Sequence, residues 1–165
     1  MTTPSRISDP AGPDEDRSRR RILYVEDDVD IWQITKHKLR AKYDLVHAAT
    51  DQEACRLLAD TNETFHAVLM DIELKGSLLN GLQLVKLLRG NLPVAGLPDY
   101  ARGVQSSQVP VIVLSAYVGA YKQEDLIALG ANRALAKPVD FVDLTMTLTE
   151  VNLRQARSSI RPPAD

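Results

Sequence analysis

Short apolar runs alternate along the chain with stretches whose apolar residues recur every three or four positions. Arg21-Ile22-Leu23-Tyr24-Val25 is rich in strand formers and stops at three acids, Glu26, Asp27 and Asp28. Beyond the acids, Ile31, Ile34, Thr35 and Leu39 repeat at helical spacing, which predicts a strand followed by a helix. Leu45 to Ala49 is a second strand candidate, and Thr50 and Glu53 stand at capping-box spacing before a helix that turns Ala54, Leu57 and Leu58 inward. Ala67-Val68-Leu69-Met70 is an unbroken apolar run ending in Asp71, the pattern of a strand covered on both faces. A third helix follows over Leu82 to Arg89. Val109 to Leu114 is the strongest strand signal and ends at Ser115, with Pro110 tolerated at the strand start. Lys122 to Leu129 reads as a helix closed by Gly130, and Arg133 to Ala136 as a short strand ending at Lys137-Pro138. Asp140 then caps a last helix whose inward face is Phe141, Leu144, Thr145, Leu148 and Val151.

Five strand-helix units in strict alternation predict an α/β fold, a five-stranded parallel sheet with right-handed crossovers and helices on both faces. Residues 21–157 form the expected domain. Residues 1–20, with three prolines and a charge cluster, offer too little apolar surface to offset ordering and read as a flexible tail, as do residues 158–165. The stretch 91–108, with Pro93, Gly96, Pro98 and Gly103, is long for a connection in a small domain and reads as a surface loop or an insertion.

Composition narrows the functional classes. The 165 residues are 44% hydrophobic and 25% charged, which fits one globular domain. A formal charge of -2 gives no basic excess for a phosphate backbone, so direct nucleic-acid binding is disfavoured. Cys55 has no partner for a disulfide, and His37, His47 and His66 lack cysteines at zinc-ligand spacing. No apolar run approaches the length of a membrane span, so a soluble, cytoplasmic protein without membrane attachment is expected.

In parallel sheets of this kind ligands bind beyond the carboxyl ends of the strands. Those ends carry Glu26, Asp27 and Asp28 after the first strand, Asp71 after the third, Ser115 after the fourth and Lys137 after the fifth. Each residue has a plain reading alone: Asp28 as a helix N-cap, Asp71 as a turn residue, Ser115 as a helix-entry cap. Their conjunction carries the argument. Clustered carboxylates repel one another unless a cation neutralises them, and oxygen-only ligands suit Mg2+. An ammonium and a hydroxyl facing such an ion across a central carboxylate are equipped to hold a phosphoryl group under attack by that carboxylate.

With these residues the chain resembles the receiver domain of bacterial two-component response regulators. The likeness rests on Ile22 to Asp28, Val68 to Ile72, Gly81-Leu82, Pro110 to Ala116, Gly130-Ala131 and Lys137-Pro138, and runs from about Arg21 to Leu153. It implies a flavodoxin-like sheet order of 2-1-3-4-5 and Asp71 as acceptor of a phosphoryl group from a histidine kinase or phosphotransfer protein. Mg2+ would be held by Asp27, Asp71 and the main-chain carbonyl of Glu73, with Glu26 acting through water. Ser115 and the Ala116 amide would take one phosphoryl oxygen, and Lys137 would pair with the carboxylate and then the phosphoryl group. Tyr117, two places beyond the hydroxyl, and Glu73 would flank the path of hydrolytic water. The implied output is binding to a downstream protein target, with room for a homodimer, and no enzyme activity beyond the domain's own phosphorylation and dephosphorylation.

Three departures from the family pattern stand out. The segment from Asp71 to Gly81 lacks the usual proline and is longer, the 91–108 connection is extended, and Ala134 replaces the usual aromatic switch residue. With no output motif after Arg157, a stand-alone receiver is expected. An alternative is a phosphorylation-independent interaction module on the same fold. A phosphohydrolase of the haloacid-dehalogenase type is disfavoured because Glu26-Asp27-Asp28 does not supply its first-strand Asp-x-Asp nucleophile.

Overall fold

A computed structural model describes residues 19–116 and 119–160. Tyr117 and the tail expectations for residues 1–18 and 161–165 lie outside the described residues. The strands are β1 (Arg20–Val25), β2 (Tyr43–Ala48), β3 (Ala67–Asp71), β4 (Val111–Ser115) and β5 (Arg133–Ala136). The helices are α1 (Val29–Leu39), α2 (Asp51–Ala59), α3 (Gly81–Leu88), α4 (Gln123–Ala128) and α5 (Phe141–Ile160), with a 3-10 turn over Asp99–Ala101. All strand pairs are parallel and the order is β2-β1-β3-β4-β5.

Alternation along the strands builds two cores. Leu23, Val25, Val68, Met70, Val111 and Val113 face α2 and α3 on one side. Ile22, Tyr24, Leu69, Ile112 and Leu114 face α1 and α5 on the other. Both sides of the central strands are therefore dry, which is why their sequences read as continuous apolar runs.

Local signals account for the helix starts. Asp28 caps α1, its Oδ1 accepting from the Asp30 and Ile31 amides at 2.9 and 3.1 Å. Asn80 and Gln83 form a reciprocal capping box on α3, and Asp140 Oδ1 accepts from the Val142 and Asp143 amides ahead of α5. The Thr50 hydroxyl caps α2 through the Glu53 amide, but the Glu53 carboxylate reaches past the cap to the Ala49 amide at 2.7 Å.

Three expectations need correction. Ile34 is 54% exposed, while Trp32 is buried in its place, stacked on His47 with ring centroids 4.4 Å apart. On α5, Thr147 and Asn152 are buried and Thr145 only partly so, and the helix continues through residues 158–160, past the domain end expected at Arg157. The connection at 91–108 is built into the fold: its Leu97 and Ala101 are buried in the core on the α2 and α3 side. Arg89, at the end of α3, closes the base of this insertion by donating to the Ser107 and Val109 carbonyls at 2.6 and 2.8 Å and to the Gly130 carbonyl at 3.0 Å.

Candidate functional site

The carboxyl ends of β1, β3, β4 and β5 open into one cleft, lined among others by Glu26, Asp27, Asp71, Ser115, Ala116 and Lys137. Strand register explains this convergence. Val25 pairs with Met70, Asp71 with Leu114 and Ser115 with Ala136, so residues that end their strands also end them side by side. Carboxylate oxygens of Glu26, Asp27 and Asp71 lie within 4.8 Å of one another.

Lys137 follows β5, its amide donating to the Ser115 carbonyl at 2.8 Å, and its side chain enters the cleft. Nζ lies 2.6 Å from Glu26 Oε2 and 3.2 Å from Asp71 Oδ2, so the ammonium bridges two carboxylates and is closer to Glu26. Glu26 is further engaged, accepting from the Tyr24 hydroxyl at 3.0 Å and the Asp28 amide at 3.1 Å. Asp27 Oδ2 accepts from the Lys75 amide at 3.2 Å. Glu73 lines the same cleft with an exposed side chain.

Burial and the neighbouring Glu26 carboxylate push the Asp71 carboxyl up to about 6, against the pull of the Lys137 ammonium. Burial works against the Lys137 ammonium, but the hydrogen bond to Glu26 and the charge of Asp71 leave it raised. Tyr24 is raised by burial and by Glu26, which fixes it as a neutral donor. Three carboxylates facing one ammonium leave an excess of negative charge on a donor set made only of oxygen. That chemistry fits a hard divalent cation.

Ala134 lies on β5 opposite Val113 and lines a groove with Ser115, Tyr121 and Leu126. Gly81 is fixed by close approach: a Cβ there would stand 1.9 Å from the Asp71 carbonyl oxygen, so a side chain at this position would displace the acceptor strand's end. Two participants escaped the reading of the sequence, the Tyr24 hydroxyl and the Lys75 amide. Tyr24 carries a legible sign, a polar-tipped ring two places before Glu26 and thus on the same face of the strand. A main-chain amide leaves none.

The response regulator receiver domain family matches residues 22–149, and the chain belongs to that family. It is a receiver domain of two-component signalling. The chain is 28% identical over 143 residues to the uncharacterized transcriptional regulatory protein YcbL of Bacillus subtilis (strain 168), a match covering 86% of this chain and 55% of that protein. The chain thus spans about half the length of that relative. Among solved structures it is similar to a CheY-like response regulator receiver domain protein from Methanospirillum hungatei JF-1, with a TM-score of 0.66, 26% identity and coverage of 86% and 99% of the two chains. The receiver domain of sensor histidine kinase PA1611 from Pseudomonas aeruginosa PAO1 superposes with a TM-score of 0.63 at 25% identity, covering 82% and 98%, and that structure has a magnesium ion coordinated in its active site cleft. No helix among the described residues is long and apolar enough to cross a membrane.

Proposed function

We propose that this receiver takes a phosphoryl group on Asp71 from a histidine kinase or phosphotransfer protein and signals by binding a downstream protein. The observation that carries the reading is the Asp71 carboxylate at the centre of the cleft, 3.2 Å from Lys137 Nζ and flanked by Asp27 and Glu26. An Asp71 oxygen forms the new O–P bond as the P–N bond of the donor phosphohistidine breaks, and the departing imidazole takes up a proton. Ser115 and the Ala116 amide hold a phosphoryl oxygen, and Lys137 shifts its contact from carboxylate to phosphoryl oxygen.

Asp27, Asp71 and the Glu73 carbonyl would hold Mg2+. Bound there, the ion neutralises charge on the transferring group. Glu26 is tied to Lys137, Tyr24 and the Asp28 amide, so its role is to seat the lysine, with any metal contact made through water. The domain spans residues 20–160, works in the cytoplasm, and catalyses only its own modification and its reversal. Homodimer formation is compatible with this role; Tyr117 is proposed to modulate the lifetime of the phosphoryl group and Ala134 the conformational response.

Phosphate-affinity gel migration after treatment with acetyl phosphate and Mg2+ tests the reading. Wild type shifts and Asp71→Asn does not. A shift that persists in Asp71→Asn, or none in wild type, overturns the assignment.

A further inference from the structure

The two lengthened segments of this receiver meet at one residue outside the acceptor cleft. Asp51, the first residue of α2, is 2% exposed. Its Oδ1 accepts from the Gln52 amide at 2.9 Å, and its Oδ2 accepts from the Leu78 and Leu79 amides at 3.1 and 2.9 Å. The Tyr100 hydroxyl donates to the same Oδ2. Asp51 also donates its own amide to Ser77 Oγ at 3.0 Å. Leu78 and Leu79 belong to the long segment between β3 and α3, and Tyr100 to the 3-10 turn of the insertion after α3. No cation pairs with Asp51 among the described residues. Amide and phenol donors alone compensate its charge, assisted by the N-terminus of α2.

The same segment reaches the cleft at its other end. The Lys75 amide donates to Asp27 Oδ2 at 3.2 Å, Leu74 and Leu79 are buried between these two points, and the Ser77 amide closes the turn on the Leu74 carbonyl at 3.3 Å. A continuous run of contacts therefore leads from Tyr100 through Asp51 to Asp27.

We propose that Asp51 and Tyr100 are positioning residues for the acceptor site: by clamping the Leu74–Leu79 segment they set the Lys75 contact that orients Asp27, so the insertion governs divalent-cation affinity. The proposal deepens the phosphoryl-acceptor reading and rests on it for its biological meaning, while its physical content is the coupling of Tyr100 to Asp27. Neither residue touches the phosphoryl group. Partners that fix a metal ligand's orientation commonly alter affinity by about 10–100-fold, and a partner one segment further removed is expected to alter it by about 3–10-fold.

The test uses the full chain carrying Tyr100→Phe, which removes one hydroxyl and keeps the ring, with Asp51→Asn as a second variant that retains an acceptor oxygen but no charge. Amide hydrogen exchange is read in metal-free protein, Mg2+ affinity by calorimetry, and Asp71 modification by acetyl phosphate across Mg2+ concentrations. In Tyr100→Phe the Leu78, Leu79 and Lys75 amides exchange faster, Mg2+ binds about 3–10-fold more weakly, and the modification rate falls at low Mg2+ but recovers at saturation. Asp51→Asn changes the same three readouts in the same direction. Faster exchange at Leu78 and Leu79 with Lys75 protection and Mg2+ affinity unchanged overturns the proposal and leaves a purely structural contact. Weakened Mg2+ binding in a protein whose wild type is never modified at Asp71 supports the coupling and overturns the phosphoryl-acceptor reading instead.

Discussion

Two aspartates, Asp71 at the end of β3 and Asp51 at the start of α2, are both buried, at 7% and 2% exposure, yet their carboxyls move in opposite directions. Burial raises each. At Asp71 the nearby Glu26 and Asp27 charges raise it further, and Lys137 only partly offsets them, leaving it at about 6. At Asp51 the Tyr100 hydroxyl and the amides of Leu79 and Gln52 outweigh burial and hold the carboxyl below its ordinary range. The difference is between a charge whose neighbours are other charges and one whose neighbours are dipoles already aimed at it. The first site is unfinished and asks for a cation. The second is complete and serves as a fixed point.

The largest test of this contrast is Lys137→Ala, which leaves Glu26 and Asp71 buried together without their shared cation. Metal-free protein should lose about 3–5 kcal/mol in urea unfolding at neutral pH. The loss should shrink markedly in an Asp71→Asn background, since the removed charge is half of the repulsion. Equal losses in both backgrounds would mean that Lys137 acts through Glu26 or packing and not through Asp71.

Asp51→Ala should cost about 2–4 kcal/mol, because it strands the Leu78 and Leu79 amides and the Tyr100 hydroxyl. Its pH signature follows from the lowered carboxyl. The stabilisation that Asp51 provides is fully present above its ordinary value near 3.8 and is lost as pH falls through the lower folded-state value. Stability curves of wild type and variant should therefore stay parallel near neutrality and converge only in acid.

Asp71→Asn should show the reverse sign. With the folded carboxyl at about 6 against an ordinary 3.8, the native state binds the proton more tightly, so wild-type stability falls as pH rises across that window. Above it, the metal-free Asp71→Asn variant should be more stable than wild type by about 1–3 kcal/mol. Adding Mg2+ to about a hundredfold over its Kd should raise wild-type stability by about 2.7 kcal/mol and leave the variant nearly unchanged. A smaller effect belongs to Tyr24→Phe, which removes one hydrogen bond from Glu26 and should cost about 1 kcal/mol in the same assay.

The strand-end residues were legible because a parallel sheet translates sequence into place: whatever follows an apolar run in β1, β3, β4 or β5 arrives at one edge. Glu26, Asp27, Asp71, Ser115 and Lys137 needed nothing more. Asp51 was not legible in this way, since an acid in the first turn of a helix is commonplace and its partners Leu78, Leu79 and Tyr100 lie in two loops with no period. Ile34 and Trp32 exchanged roles for a related reason. Helical spacing fits either stripe of α1, and the choice was made by His47 on β2, whose ring stacks on Trp32. The insertion at 91–108 showed its length in the sequence, but its burial of Leu97 and Ala101 depended on the surface of α2 against which it folds.

Trp32 is the chain's only tryptophan. Its indole lies nearly parallel to the imidazole of His47, with 7° between the rings, and Nε2 of that imidazole is 2.7 Å from the main-chain oxygen of Glu26. The molecule therefore carries an intrinsic optical probe one residue removed from the acidic cleft. The emission of an indole held face to face with this ring follows how His47 is seated. Steady-state emission, with no label attached, thus follows events at the end of β1.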